Sequence, residues 1–443
     1  MKKHAIIPIF IPHRGCPNDC VFCNQRKITA HQTPVLPEDI CETVETWLST
    51  LEPRHMETIE LAFFGGSFTG LPMEEQTAFL QVARSYKDAG RIHQIHLSTR
   101  PDYISREILD NLKCWGVDVI ELGVQSFDED VLRASGRGHD ASCVYESSRL
   151  IQEYGFTLGI QLMIGLPGDT MEKDLYSARE TVKIGPSIAR LYPTVVIRDT
   201  ALYDMYLSGA YTPMTERDAV ERTKEMYKIL DAADINIIRV GLKSSDIITD
   251  KYRQSSTNFD TVPSQSTVPS QGTVPSQGIV PSPDTVSSPD TVPSPDLHEA
   301  AGTRGSIVPG TFHPAFRQLV EGEIARESLE AQVLALYPDL CRKPETDPAL
   351  QPPHSDPAQS DTPQSDTPPD PAACPAAYFV SNAKSRNNLF GHKSANRKYF
   401  AQKYPGLNIR YVTDTQLGLQ LPDNRYLVVD AGQTSGIPYT LKD

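Results

Sequence analysis

The chain has 443 residues, with 56 Asp and Glu against 42 Lys and Arg, a formal net charge of −14 and a pI near 5.3. That length suggests about three domains, and no stretch approaches the roughly 18 apolar residues of a spanning helix, which excludes a helical membrane protein. Taken whole, the acidity argues against a nucleic-acid binder, and eight cysteines are too few for a disulfide scaffold.

The opening run Ala5 to Pro12 contains two prolines and leads into His13-Arg14-Gly15-Cys16 rather than a small-residue cleavage site. It therefore reads as a first strand, not a secretory signal, and the protein as cytoplasmic. Apolar runs at Ala5–Ile11, Ile59–Phe64, Ile92–Leu97, Val117–Val124, Phe156–Ile164 and Ile188–Val196 predict six strands. Helical patterns at 73–89, 102–114, 140–154 and 170–184 fall between them. Strand and helix alternating at this spacing imply a parallel sheet with crossover helices. Six units in this length suit an α/β fold, a partial (β/α)6 TIM-like barrel, better than a flat doubly wound sheet. In either fold the site is expected at the C-terminal ends of the strands.

Directly after the first strand stands Cys16-Pro-Asn-Asp-Cys20-Val-Phe22-Cys23. Three thiolates on one short loop can converge on one metal centre. A cubane iron–sulfur cluster is commonly held by cysteines, and three close ligands would leave one iron open. The competing reading is a zinc site, which needs a fourth Cys or His; His13 is the nearest candidate. Cys41, Cys114, Cys143, Cys341 and Cys374 have no such grouping, and they read as buried small hydrophobes or, for Cys374, a linker residue.

The spacing C-x3-C-x2-C, with Phe22 before the last cysteine, resembles the signature of radical S-adenosylmethionine (SAM) enzymes. Further segments agree in order: Gly65-Gly66-Ser67-Phe68-Thr69 after the second strand, Gly123-Val124-Gln125-Ser126-Phe127 at the end of the fourth, Arg137-Gly138-His139, and Ile164-Gly165-Leu166-Pro167-Gly168 closing the fifth. Within the superfamily, Ser98-Thr99-Arg100-Pro101-Asp102 and Leu191-Tyr192-Pro193-Thr194-Val195-Val196-Ile197-Arg198 look most like the Elongator catalytic subunit and its bacterial relatives; the coproporphyrinogen-oxidase type ranks second. The resemblance implies that Cys16, Cys20 and Cys23 bind a [4Fe-4S] cluster whose open iron is chelated by S-adenosyl-L-methionine. An electron from the cluster would cleave SAM to methionine and a 5'-deoxyadenosyl radical. It assigns Gly65, Gly66 and Ser67 to the methionyl amine motif, Arg137 to the carboxylate, Gln125 and Gln161 to the ribose, and Phe22 to the cofactor site. It also implies a reductant such as flavodoxin or ferredoxin. Taken singly, the Gly-Gly pair reads as a tight turn and Arg137 as a surface charge; their order behind the cysteines gives them joint meaning. No catalytic residue on the substrate side is legible.

Elongator-type enzymes append an acetyltransferase domain, which needs a glycine-bearing turn of the form [QR]-x-x-G-x-[GA] to hold pyrophosphate. None is found after residue 200, and 376–443 is too short for that fold, so acetyl transfer is not carried over.

Residues 254–300 hold six tandem hexapeptides, Thr261 to Asp296, of the type TVPSQG and TVPSPD, and residues 344–375 form a second Pro, Ser, Asp and Ala tract. Both are expected to be disordered insertions. They carry eleven acids and no Lys or Arg, so the remaining 364 residues have a net charge of only −3. The expected organisation is a core over 1–250, a linker over 254–300, a helical segment over 301–343, a linker over 344–375 and a small α/β domain over 376–443. In the helical segment, Leu319 to Leu336 is amphipathic; His313 before it could donate a proton over the barrel mouth but reads more simply as a cap.

From Ala376 to Arg410 there are seven basic residues and no acid. The order strand, helix, Gly391-His392-Lys393-Ser394, helix, strand is similar to the KH RNA-binding module, with Ser394 in place of its second loop glycine. A small α/β cap with a solvated basic face is the alternative. RNA, in particular tRNA, is the expected partner through 376–410. A non-catalytic RNA-binding protein with a structural metal knuckle is the reading of a different class.

Overall fold

The computed structural model describes residues 4–11, 20–23, 35–51, 55–242, 307–308, 312–341 and 375–433. Cys16, His13 and the two proline-rich tracts, apart from Pro375, lie outside them.

Strands β1 (His4–Ile11), β2 (Thr58–Gly65), β3 (Gln94–Thr99), β4 (Val119–Gln125), β5 (Thr157–Ile164), β6 (Ile188–Pro193) and β7 (Asn236–Val240) pair in chain order. Every pair is parallel. The crossovers carry α1 (Pro37–Leu51), α2 (Met73–Asp88), α3 (Arg106–Cys114), α4 (Glu129–Ala134), α5 (Ala141–Glu153), α6 (Met171–Ile184), α7 (Ala201–Leu207) and α8 (Glu216–Ala232). The sheet curls into a half-barrel, as the alternation predicts, but with seven strands rather than six. The seventh is short and interrupted by Arg239, so it gives no continuous apolar run.

Alternation along each strand sorts the residues onto two faces. Ile59, Leu61 and Phe63 of β2, Ile120, Leu122 and Val124 of β4, and Leu158, Ile160 and Leu162 of β5 are buried in a core with Val44, Leu80, Leu109 and Ile151 of the helices. Burying each such side chain contributes roughly 1.5–3 kcal/mol, which is what holds helices to sheet. The inward rows are polar instead: Glu60, His96, Glu121 and Arg190 sit buried in the lumen. Helix starts are set by side-chain caps, with Ser105, Asp140, Thr170, Thr200 and Thr215 each accepting from a backbone N–H of the first turn.

Helix α9 (Phe316–Leu336) follows, then β8 (Ala376–Ser381), α10 (Arg386–Phe390), α11 (Ala395–Lys403), β9 (Asn408–Thr413) and β10 (Tyr426–Asp430). The small sheet has order β10-β8-β9, with β9 parallel and β10 antiparallel to β8. Phe316 and Val320 of α9 enter the barrel core, while Ala325, Leu329 and Val333 enter the core of the small sheet. The buried-cysteine expectation is corrected at three positions: Cys114 is exposed, and Cys41 and Cys143 are only half-buried, because the buried stripes of their helices are formed by other residues. Among the described residues no helix is long and apolar enough to cross a membrane.

Candidate cofactor site

The strand ends build a cleft whose walls are set by backbone before any side chain is considered. Gly65 ends β2 at φ +104°, and a Cβ there would stand 2.7 Å from the Ile11 carbonyl oxygen. Only glycine takes that conformation in that space. The next amide, Gly66 N–H, donates to the same carbonyl at 2.8 Å, which ties the end of β2 to the end of β1. The Ser67 hydroxyl shares a hydrogen bond with Thr99 Oγ1 (2.9 Å) and accepts from the Arg100 N–H (3.1 Å), tying β2 to β3. Gln125, at the end of β4, is a non-glycine residue at φ +73°, where the β4–β5 register slips. Strain of this kind persists only where surrounding structure holds it, and it clusters at functional sites.

The cysteine loop meets this rim. Cys23 N–H donates to the Cys20 carbonyl (2.9 Å), Val21 N–H to the Ser135 carbonyl (3.1 Å), and Leu202 N–H to the Val21 carbonyl (2.7 Å). Two buried guanidiniums face the Cys20 sulfur. Arg137 Nη1 donates to it at 3.2 Å and Arg100 Nη1 lies at 3.8 Å. Arg100 also grips Asp102 with two bonds of 2.8 Å and donates to the Arg137 carbonyl, while Arg137 Nη2 donates to the Gly123 carbonyl. Buried positive charge beside a sulfur suits an anionic centre.

Cys20, Phe22, Cys23, Gly65, Gly66, Ser67, Gln125, Arg137 and Gln161 all line one cleft. Every expected site residue within the described part of the chain is therefore brought together; Cys16 lies outside it. Ser98, Thr99, Arg100 and Gly123 line the same cleft. Arg100 is the main addition, since the sequence marks it only as part of a family segment. His313 does not line the cleft: its Nδ1 accepts from the Ala315 N–H at 3.0 Å, just before α9.

Beneath the cleft lies a buried polar chain. Gln161 Nε2 donates to Glu121 Oε2 (2.9 Å), and Arg190 Nε donates to Glu121 Oε1 (2.7 Å). His96 bridges Glu121 (3.6 Å) and Glu60 (3.1 Å), and His4 closes on Glu60 (2.9 Å). The Arg190 guanidinium lies 4.8 Å over the Phe64 ring. Burial alone would raise the Glu121 carboxyl, but Arg190 and His96 bring it down to about 2. Burial would lower His96, yet its bonds to Glu121 and Glu60 hold it above its ordinary value. A Cβ at Gly159 would stand 2.7 Å from Glu121 Cγ, so this glycine makes the space the carboxylate occupies. The sequence carries a signal for this chain: Glu60, His96, Glu121 and Arg190 each stand between two apolar residues of a strand.

The donor set fits a cofactor with an iron–sulfur and a zwitterionic part. Two thiols share the loop with an aromatic ring, and a glycine turn leaves backbone open. Arg137 Nε and Gln125 Oε1 are buried with no hydrogen-bond partner among the described residues, and buried polar atoms are rarely left so without a ligand.

A half-barrel with cysteines on the first loop and a Gly-Gly turn on the second defines a class of cluster-bearing enzymes. Residues 10–178 match the Radical SAM superfamily model and residues 186–261 the Radical_SAM C-terminal domain model. The chain belongs to the radical SAM superfamily; it is an enzyme, and its cofactors are a [4Fe-4S] cluster and SAM. This sets aside the non-catalytic knuckle reading. It is similar to the tRNA uridine(34) acetyltransferase of Dehalococcoides mccartyi, 30% identical over 230 residues that cover 45% of this chain and 50% of that protein. It is also similar to Elongator complex protein 3 of Homo sapiens, 29% identical over 253 residues, 47% of this chain and 46% of that protein. The chain thus spans about half the length of the curated relatives it matches. Among solved structures, the archaeal Elp3 of Methanocaldococcus infernus aligns with a TM-score of 0.45 and 21% identity, over 58% of this chain and 63% of that one.

Proposed function

We propose that Cys16, Cys20 and Cys23 hold the cluster, that Gly65, Gly66, Gln125, Arg137 and Gln161 hold SAM, and that the enzyme modifies RNA, tRNA foremost. The observation that carries the site assignment is the convergence of Cys20, Cys23, Gly65, Gly66, Gln125, Arg137 and Gln161 on one cleft at the strand ends, with two polar atoms among them unpartnered among the described residues.

When bound and reduced, the cofactors supply one-electron cleavage of SAM and a radical able to take a hydrogen atom from substrate. The chain's own part is binding and orientation. Arg137 keeps its Nε free for an anionic group while its two terminal nitrogens are anchored on Cys20 and Gly123. Glu121 can only accept, so it takes the Nε2 end of Gln161 and leaves the amide oxygen as acceptor for ligand hydroxyls. The turn at Gly65–Gly66 offers backbone carbonyls to an amine. The Ser67 hydroxyl is engaged by Thr99 and Arg100, so its contribution to the cleft is backbone as well.

RNA as substrate is supported by the names of the curated relatives and by the basic run over 376–410. Acetyl transfer is not part of the proposal, and a flavodoxin or ferredoxin is the proposed electron donor.

Anaerobic reconstitution tests the site. The wild-type chain is expected to take up about four irons and to cleave SAM on reduction, and Cys20→Ala to lose both. A colourless protein holding one zinc would overturn the cluster assignment. Mass spectrometry of tRNA nucleosides from a deletion strain tests the substrate; an unchanged nucleoside set would remove RNA from the proposal.

A further inference from the structure

The seven cations of 376–410 are not equivalent. Lys384 is bridged to Asp423 (3.2 Å) and Lys403 to Glu330. Arg386, Lys393, Arg397, Lys398 and Arg410 are exposed and have no carboxylate partner among the described residues. A cluster of unneutralised cations on one small block attracts a polyanion.

Where these cations stand favours one polyanion over others. Arg386 and Phe390 are one helical turn apart on α10, and the guanidinium lies 5.6 Å from the ring centroid. The Phe390 ring is in turn 5.0 Å from the Tyr411 ring of the edge strand β9, with the planes 32° apart. Both rings are half-buried, and Arg386 is exposed. Arg397 on α11 lies close enough to Tyr411 for its charge to offset part of the rise that burial gives the phenol. The result is a tilted stack, Tyr411–Phe390–Arg386, that ends on an exposed guanidinium. Arg410 follows the opposite alternation on β9 and lies on the other face of the sheet.

The Gly391–Ser394 loop is turned the other way. Gly391, at φ +73°, is buried, with its Cα 3.4 Å from where a Cβ of Gly322 on α9 would stand. A Cβ on Gly391 itself would stand 2.9 Å from the Asn396 amide nitrogen. Asn396 Nδ2 locks the contact, donating to the Gly322 carbonyl (2.8 Å) and the Asn388 carbonyl (3.1 Å). The loop glycine thus seats the loop on α9 and cannot close on a phosphate. What the loop presents to solvent is Lys393 and Ser394.

We propose that Arg386, Phe390 and Tyr411 form a stacking platform for unpaired RNA nucleotides, with Lys393, Arg397 and Lys398 on the flanking phosphates. Unpaired bases are recognised by stacking on aromatic rings and guanidinium planes, whereas in a duplex those faces are covered. An acidic polypeptide would use the charges and leave the stack without a role. The platform deepens the reading of the enzyme as acting on RNA and names the form of RNA it grips.

The test uses the reconstituted full chain and a short oligouridylate carrying one 2-aminopurine, whose fluorescence falls on stacking. Wild-type protein is expected to quench the probe and to bind it more tightly than the same sequence in a duplex. Arg386→Lys keeps the charge and removes the plane; it is expected to lose the quench and bind about tenfold more weakly with an unchanged salt slope. Arg397→Glu is expected to flatten the salt slope. Phe390→Leu, which keeps the packing volume, is expected to behave as Arg386→Lys. The platform is overturned by equal affinity for the duplex, by competition from polyglutamate at equal charge, or by parental quenching in Arg386→Lys and Phe390→Leu. A chain that cleaves SAM but does not quench the probe overturns the platform alone. One that quenches the probe but cleaves no SAM supports the platform and overturns the radical assignment alone.

Discussion

Arg137 shows how one side chain can be made rigid and still left receptive. Its two terminal nitrogens are spent on the Cys20 sulfur and the Gly123 carbonyl, its backbone carbonyl is held by Arg100, and its Nε has no partner among the described residues. Two residues on, His139 is only 9% exposed and stands in the same positive field. Burial pushes its imidazole down, the Arg137 charge pushes it further, and the two bring it to about 4. A depressed histidine is neutral in the fold and contributes stability that is fully present above its unfolded value near 6.5. That stability is lost as pH falls toward the folded value. The chain should therefore lose about 2–3 kcal/mol at this site between about pH 6.5 and pH 4. His139→Gln, neutral throughout, should show a correspondingly smaller loss in urea titrations at the two ends of that range. Parallel losses in the two proteins would show that His139 is not buried in its neutral form.

At the scale of elements, the strands were legible where apolar runs were long, and the site was legible where glycines and cysteines punctuated their ends. Gly65, Gln125, Arg137 and Gln161 lie in one cleft because the barrel brings strand ends together, which order along the chain already implied. What stayed hidden has physical causes. Strand β7 is five residues with Arg239 inside it, and β10 gains its partner only through an antiparallel return that no local pattern announces. The lumen chain was missed because Glu60, His96, Glu121 and Arg190 each look like a lone charge in a strand, and only the register makes them neighbours. Glu321 is a similar case on α9. It is buried and accepts from Arg317 Nε (2.7 Å), Tyr227 Oη (3.2 Å), Asn388 Nδ2 (2.8 Å) and Asn424 Nδ2 (3.2 Å). These donors come from α8, α9, α10 and the turn before β10. Glu321→Ala would leave four donors facing a hole, and a loss of about 3 kcal/mol is expected. Chemical denaturation measures it; a loss within the ordinary range of surface substitutions would mean that water replaces the carboxylate freely.

At the scale of the molecule, charge and cohesion divide differently. Most of the acidity belongs to the two proline-rich tracts, and the small C-terminal block carries the opposite sign, so a single net charge describes neither part. Cohesion instead runs through one helix. The residues from both sides of the 254–300 tract cluster as one compact unit, 1–243 with 307–443. Helix α9 gives Phe316 and Val320 to the barrel core and Ala325, Leu329 and Val333 to the small sheet. Lys224 and Lys228 of α8 both close on Glu327, and Arg425 reaches Asp231 at 2.9 Å. A helix shared between two cores cannot leave one without exposing the other. The unit should therefore unfold in one transition rather than two. Leu329 is fully buried on the small-sheet side, and Leu329→Ala should cost about 3 kcal/mol. Calorimetry should then show the whole transition moved down in temperature, and the fluorescence of Trp47 and Trp115, both in the barrel, should move with it. If an early transition splits off and the tryptophan signal stays in place, α9 does not couple the two cores. The RNA platform would then be carried on a part able to detach from the SAM cleft.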